Sequence, residues 1–185
     1  ICLAAVRDFG AALEYVPDAL KTKDICLAAV QENRGEIPGN EIYWVEYRNA
    51  TALLFVPDQL KTKEICLAAV QSNRYALRYV PNDLKTSDLC LAAIKEGRRM
   101  YYDCDCWRYV LRYIPNSLKT TELCLSALKK KPTSMRYVPD HLKTKSFYFA
   151  AVRKNGLILQ YVPEPLITEK LCLAAIKSRR RHIWE

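Results

Sequence analysis

Cysteine and histidine are the residue types in this chain that could hold a metal ion or act as a nucleophile. The chain has 8 Cys and 2 His among its 185 residues. Six cysteines occupy the same place in a recurring block of the type ICLAAV, where they could form a ladder of metal ligands or disulfides. We favour the alternative of small buried apolar side chains, because free Cys is among the most buried residue types. The six are Cys2, Cys26, Cys66, Cys90, Cys124 and Cys172.

Geometry also disfavours a disulfide ladder. Equivalent positions in stacked helices lie about 8–10 Å apart, whereas a disulfide needs Cα atoms within about 7 Å. Repeated free thiols predict a cytoplasmic or other reducing compartment. The remaining pair, Cys104 and Cys106, forms a Cys-x-Cys motif, but structural zinc needs four ligands and no second pair or nearby His exists. We therefore expect no metal ion and no cofactor.

The two histidines do not indicate catalysis. His141 stands at a repeat position that varies in residue type, and His182 lies in the basic C-terminal tail. The sequence has no Gly-rich phosphate loop and no pairing of a nucleophile with a base. Catalysis needs different groups converging on one cavity, whereas a regular array presents ladders of equivalent ones. We expect no catalytic residues, and we expect that the chain is not an enzyme.

The recurring block sets the architecture. Four of the six gaps between successive copies are 24 residues, and the other two are 40 and 34. A fixed period of this size predicts a solenoid of tandem repeats. Because the block is apolar nearly all round, each copy must be buried on several sides by its neighbours. The copies begin at Ile1, Ile25, Ile65, Leu89, Leu123, Phe147 and Leu171.

The sequence of each repeat predicts two helical elements. A Thr three residues before the block is a helix N-cap, and Gly10, Asn33, Asn73, Gly97 and Gly156 are placed as helix C-caps. A motif of the type L-x-Y-V-P follows, as in Leu77 to Pro81, and predicts a short helix or 3₁₀ turn that stops before the Pro. We expect an all-α, right-handed-type α-solenoid of about seven 24-residue units in one domain, 1–185. The units start near residues 1, 22, 62, 86, 120, 144 and 168.

The motifs (I/L)CLAA(V/I), L-x-Y-V-P and L-K-T together resemble an uncharacterised tandem helical repeat family, a domain of unknown function. The segments 77–81, 84–86 and 89–94 carry the resemblance. The resemblance implies the fold. Because the family occurs in some host-associated bacteria and in protists, it also implies a host-delivered effector as one alternative. It implies no catalytic residues. The chain opens inside a block without an initiating Met, so we expect a fragment of a longer chain.

The charge is unevenly distributed. The net charge is +9, and residues 1–92 carry 10 Lys and Arg against 12 Asp and Glu, whereas residues 93–185 carry 19 against 8. Such asymmetry predicts an acidic protein partner or a nucleic acid, or else only a solvated face. No apolar run approaches the roughly 18 residues of a membrane span. The sequence leaves the oligomeric state undetermined.

Two insertions lengthen the array at the same point of the repeat, at residues 35–50 and 99–108. Insertions in repeat proteins map to one face, which is often the binding face. Aromatic residues beside Arg have the composition of interface hot spots, although these rings could instead cover the edge of the array. The candidate partner-binding aromatics are Tyr43, Trp44, Tyr47, Tyr101, Tyr102 and Trp107.

A row of arginines adds a second candidate surface. Arg78, Arg112 and Arg136 precede the repeated Tyr in three consecutive units and could bind carboxylates or phosphates bidentately. We expect the repeated aromatic residue itself to pack between units. The sequence thus favours a noncatalytic scaffold for protein–protein interaction that uses the aromatic insertions and a basic face. The alternatives are a nucleic-acid-binding solenoid using the basic C-terminal half, and an accessory module of a larger enzyme or assembly.

Overall fold

The computed structural model describes residues 1–31, 52–95 and 110–181, with side chains to residue 178. The described residues form helices and turns without a strand, so the all-α prediction is confirmed. Seven α-helices lie within these ranges. They are α1 (Cys2–Asp8), α2 (Lys23–Gln31), α3 (Lys63–Ser72), α4 (Ser87–Lys95), α5 (Thr121–Lys130), α6 (Lys145–Lys154) and α7 (Glu169–Arg181).

Threonine starts six of these helices, as predicted. In each, the hydroxyl oxygen accepts a hydrogen bond from the backbone N–H three residues on, at 3.2 to 3.4 Å. This bond satisfies one of the amides that a helix N-terminus leaves without an intrahelical partner. The caps are Thr22, Thr62, Thr86, Thr120, Thr144 and Thr168.

The second element of each repeat is a 3₁₀ helix that ends two residues before the recurring Pro. Val80, for example, is extended with φ −71° and ψ 127°, as the residue before a Pro prefers. A second, three-residue 3₁₀ helix follows the Pro and leads back to the next capping Thr. The longer ones are Gly10–Tyr15, Ala52–Phe55, Arg74–Tyr79, Leu111–Tyr113, Pro132–Tyr137 and Gly156–Tyr161. The shorter ones are Asp18–Leu20, Asp58–Leu60, Asn82–Leu84, Asn116–Leu118, Asp140–Leu142 and Glu164–Leu166.

Of the predicted C-caps that the structure describes, Asn73 is confirmed, although in extended backbone, whereas Gly10 and Gly156 each follow the C-cap residue. Asn73 ends α3 with φ −147° and ψ 113°, which is extended backbone. Phe9 ends α1 in the same conformation, and Gly10 starts the next 3₁₀ helix. Gly156 likewise starts a 3₁₀ helix after an extended Asn155. The chain therefore leaves α1, α3, α5 and α6 through one extended residue, which redirects it at once into the 3₁₀ layer.

Gly10 and Gly156 serve close packing instead of capping. A Cβ placed on Gly10 would overlap the carbonyl oxygen of Ala29, near the end of the next helix. A Cβ on Gly156 would overlap the carbonyl oxygen of Ala175 in the same way. The glycine lets the start of one 3₁₀ helix lie directly against the end of the following α-helix.

The described residues belong to two compact units, Ile1–Tyr101 and Tyr102–Glu185. In the first unit α1, α2, α3 and α4 contact one another in chain order, and in the second unit α5, α6 and α7 do the same. The longer 3₁₀ helices of neighbouring repeats also contact each other within each unit. Each unit is thus a solenoid-like stack with an α layer and a 3₁₀ layer. Whether the chain is one solenoid domain stays a prediction.

The core of each stack lies between these two layers. In α3, Ile65, Cys66, Ala69 and Val70 are at most 2 % exposed, and these positions share one helix face. The 3₁₀ layer contributes residues such as Leu77, which is fully buried. Leu67 of the same block is 37 % exposed, so the block is buried along one face, and the prediction that it must be buried on several sides is corrected.

Candidate interaction surface

The arginine row takes its position from the longer 3₁₀ helix. Arg78, Arg112 and Arg136 each stand between a buried apolar residue and the repeated Tyr, and all three are exposed. In the first unit the Arg78 guanidinium carbon lies 5.0 Å from the centre of the Tyr79 ring, a cation–π distance. In the second unit Arg112 and Arg136 belong to consecutive repeats, whose 3₁₀ helices contact each other.

The repeated aromatic is structural in most repeats. Phe55, Tyr79, Tyr113, Tyr137 and Tyr161 are half-buried, which agrees with rings packed between neighbouring elements. The equivalent Tyr15 of the first repeat is 82 % exposed.

A second basic surface was not singled out as a site from the sequence. It comprises the basic residues at the first two positions after the block in the second unit, and we call it the basic edge: Lys129, Lys130, Arg153, Lys154 and Lys177. All five are exposed. The side-chain amide of Asn155 donates a hydrogen bond to the backbone carbonyl of Lys129 over 3.2 Å, so the ends of α5 and α6 lie side by side.

The basic edge carries more positive charge than the equivalent positions of the first unit. Those positions hold Arg7 and Asp8 in α1, Gln71 and Ser72 in α3, and Lys95 in α4. Cations near a helix C-terminus are favoured by the helix dipole, but that effect acts equally on every helix of the array. It therefore does not explain why the basic doublets stand in the second unit. The signal in the sequence was the doublet of basic residues at the same repeat position.

The candidate aromatics of the insertions lie outside the described residues. This holds for Tyr43, Trp44, Tyr47, Tyr101, Tyr102 and Trp107. The flanking described residues fix where the insertions attach, because the first follows α2 and the second follows α4. Both therefore leave the repeat at the junction that carries the basic edge in α5 and α6.

Other lysines are held inside the fold and are not candidates for binding. Each reaches back three residues to an Asp or Asn that follows the recurring Pro, at 2.8 to 3.0 Å. We call this contact the lysine clip. The Lys21 and Lys61 side chains are only 10 % and 11 % exposed. The clips are Lys21–Asp18, Lys61–Asp58, Lys85–Asn82, Lys119–Asn116 and Lys143–Asp140.

The lysine clip shifts the ionisation of its members. Burial lowers the pKa of Lys85 and of Lys119, because removing an ammonium group from water disfavours the charged form. In two other clips the acceptor is the carboxylate of an exposed Asp. The hydrogen bond and charge of Lys61 lower the pKa of Asp58, and Lys143 does the same to Asp140.

The block cysteines are buried apolar side chains, as predicted, in the interior repeats. Cys26, Cys66, Cys90 and Cys124 are fully buried free thiols, while Cys2 and Cys172 are half-buried. Burial raises the pKa of Cys66, Cys90 and Cys124 to about 11. Because the thiolate is the reactive form, such thiols are poor nucleophiles at neutral pH. Cys104 and Cys106 lie outside the described residues.

Two further properties concern the described part of the chain. Nowhere in residues 1–31, 52–95 and 110–178 do three or more His, Cys, Asp or Glu side chains come together as metal ligands would. None of the helices described is long and apolar enough to cross a membrane. His141, the described histidine, is exposed on the surface.

These features define a tandem helical repeat protein whose buried positions recur and whose exposed positions vary. Residues 48–85 and 121–167 match the family model described as a domain of unknown function (DUF4116). The resemblance to an uncharacterised tandem repeat family is confirmed over those two segments. Neither a curated protein nor a solved structure matches the chain significantly.

Proposed function

We propose that the chain is a noncatalytic repeat scaffold that binds an acidic protein segment through its basic second unit. The observation that carries the proposal is the exposure of Arg112 and Arg136 at the same position of two consecutive repeats. Cations at the same position of consecutive repeats suit an extended chain of carboxylates, because guanidinium groups bind carboxylates in a bidentate geometry. The basic edge adds positive potential on the same unit and would speed the encounter.

The aromatic insertions are the second part of the proposal. They would supply the apolar anchors that a charged surface lacks, since Trp and Tyr dominate binding energy at most interfaces. Their junction with the repeat corresponds to the position of the basic edge.

The first experiment measures binding of a fluorescent polyglutamate peptide by anisotropy. We expect Arg112→Glu with Arg136→Glu to weaken binding by about tenfold or more, as two contacts change from attractive to repulsive. The matched control is Lys145→Glu with Lys170→Glu, which reverses two exposed lysines of the same unit. Because net charge changes equally, similar losses for both variants would refute a localised site.

A deletion tests the insertions. Removing residues 35–50 and 99–108 should leave the helical circular dichroism intact and abolish capture of a protein partner. Capture that persists after the deletion would refute the role of the insertions and leave the arginine row as the binding surface.

A nucleic acid is the second candidate partner, favoured by the excess of 19 basic over 8 acidic residues in 93–185. Sequence-tolerant binding of single strands also uses exposed aromatic rings for base stacking. Next to the arginine row, however, Tyr113 and Tyr137 are half-buried, which favours the acidic protein. A labelled oligothymidylate distinguishes the two. A nucleic-acid binder should prefer it to polyglutamate, with an affinity that falls by about one log unit per log unit of salt for each phosphate neutralised.

A further inference from the structure

The third residue of the block is a large apolar side chain on the outer surface of the α layer. It is exposed or half-buried in all seven described α-helices. Leu67, in an interior repeat, is 37 % exposed, whereas Ile65, Cys66, Ala69 and Val70 of the same helix face the core. Because the first, interior and last repeats share this exposure, it is a property of the repeat and not of its place in the chain.

In the second unit these side chains form a row across three neighbouring helices. The helix α5 contacts α6, and α6 contacts α7. We call the row the apolar stripe: Leu125, Phe149 and Leu173. The next residue of each block is small, which keeps the side chains beside the stripe short: Ser126, Ala150 and Ala174. The stripe is therefore a broad, shallow apolar surface.

The basic edge borders the apolar stripe along one whole side. Lys129, Arg153 and Lys177 each stand four residues after a stripe residue, so they lie one turn away on the same helix face. All three are exposed. The other side of the stripe has mixed charge, because the residues three positions before the stripe are Glu122, Ser146 and Lys170. Lys170 lies over the Phe149 ring, 5.5 Å from its centre.

The equivalent row in the first unit has the opposite charge. It consists of Leu27, Leu67 and Leu91. The residues three positions before them are acidic and exposed: Asp24, Glu64 and Asp88. The residues four positions after them are Gln31, Gln71 and Lys95. Both units thus present apolar side chains, but only the second borders them with a continuous row of cations, which selects an acidic partner.

We propose that the apolar stripe and the basic edge bind an amphipathic α-helix of a partner protein, with Glu or Asp along one flank. Packed helices lie about 8–10 Å apart, and seven residues of an α-helix rise by about 10.5 Å. A partner helix lying across α5, α6 and α7 therefore presents one apolar residue to each stripe residue if its apolar residues recur every seven positions. Its acidic flank then faces the basic edge, as in other helix-in-groove complexes.

This surface is separate from the one assigned to the proposed function. The arginine row lies on the 3₁₀ layer and the apolar stripe on the α layer, with the core between them. An anionic membrane is the other ligand class with matching chemistry. The half-buried Leu125 and Phe149 favour a packed helix, because membrane binding requires apolar side chains that enter the lipid by about 5–10 Å.

The experiment measures binding of a fluorescent peptide of about 21 residues, long enough to cross three helices, to the full chain by anisotropy. The peptide carries Leu at every seventh position and on the adjacent turn, with Glu along one flank. Its matched control has the same composition in an order that removes the seven-residue period. We expect the periodic peptide to bind about tenfold more tightly or better, and to gain helical circular dichroism on binding. Equal affinities, or no binding of the periodic peptide, would overturn the proposal.

Two sets of substitutions locate the site. Phe149→Gln removes the central apolar contact and should weaken binding of the periodic peptide by about tenfold. Lys129→Glu with Arg153→Glu reverses two exposed charges of the basic edge and should weaken it by about tenfold or more. Circular dichroism verifies folding, and Leu173→Gln, at a position that is 49 % exposed, replaces Phe149→Gln if that variant unfolds. Unchanged affinity in these variants would overturn the proposal.

Matched controls distinguish this site from other surfaces of the chain. Leu67→Gln makes the same kind of change at the same block position of the first unit and should leave the affinity unchanged. Arg112→Glu with Arg136→Glu changes the net charge of the second unit as much as the edge variant does, and should also leave it unchanged. A loss in either control equal to that of the site variants would overturn the proposal. Since the arginine variant tests the proposed function with polyglutamate, the two proposals can fail separately.

Vesicles of phosphatidylcholine with phosphatidylserine test the membrane alternative by cosedimentation. We expect no binding at the salt concentration used for the peptide. Vesicle binding that disappears in Phe149→Gln, and that competes with the periodic peptide, would assign the apolar stripe to a membrane surface and overturn the proposal.

Discussion

Replacing Gly10 by Ala tests the closest packing in the described fold. In a 3₁₀ helix, Gly→Ala would ordinarily stabilise a protein by about 0.4–1 kcal/mol, because the unfolded chain loses conformational freedom. Here the new Cβ would overlap the carbonyl oxygen of Ala29 and lie 3.3 Å from its carbonyl carbon. The obstacle is backbone, so no side-chain rotation can relieve it.

The distance by which the first two repeats must move apart determines how much stability is lost. Restoring an ordinary contact requires the first two repeats to separate by roughly 1 Å, and overpacking of this kind costs about 1–3 kcal/mol. Subtracting the entropic gain leaves a net destabilisation of about 1–2 kcal/mol. Repeat arrays unfold through nearest-neighbour interfaces, so the first repeat can also relieve the overlap by detaching.

Two measurements separate these responses. Urea denaturation should show a lower midpoint for Gly10→Ala, and hydrogen exchange should show faster exchange in α1 than in the wild type. The control is Glu14→Ala in the same 3₁₀ helix, where an exposed side chain should change stability by less than about 0.5 kcal/mol. An unchanged or higher midpoint for Gly10→Ala, with unchanged exchange in α1, would refute the packing argument.

Three further predictions concern single contacts. Thr120→Ala should cost about 1 kcal/mol of stability in urea denaturation, because it removes the N-cap bond to α5; Thr120→Ser should retain it. The pKa of Asp140 is lowered by Lys143, so its stabilising effect should be present at neutral pH and disappear as pH falls below the ordinary carboxyl pKa of about 4. A difference in the urea midpoint of unfolding between the wild type and Asp140→Asn that persists at pH 2 would contradict this. Because burial raises the pKa of Cys90 to about 11, iodoacetamide at pH 8 should alkylate it in urea and spare it in the folded chain, as read by peptide mass spectrometry.

The sequence predicted the features that depend on local chemistry. A Thr before an apolar block starts a helix by a bond within one turn, and a residue before Pro is extended by its own sterics. The extended exits from the helices were missed because they depend on the next helix. Gly10 looked like a C-cap in sequence, but the residue that explains it, Ala29, is 19 positions away. The lysine clip was missed for another reason, since Lys, Asp and Asn are mostly exposed residue types and their sequence gives no reason to expect a largely buried lysine.

The residues of the candidate site also differ in how well the sequence predicts them. Repetition identifies buried positions by their constancy and leaves exposed positions as the ones free to vary, and Arg112 and Arg136 were found in that way. The aromatic insertions have no equivalents in other repeats, so only their composition indicated a function.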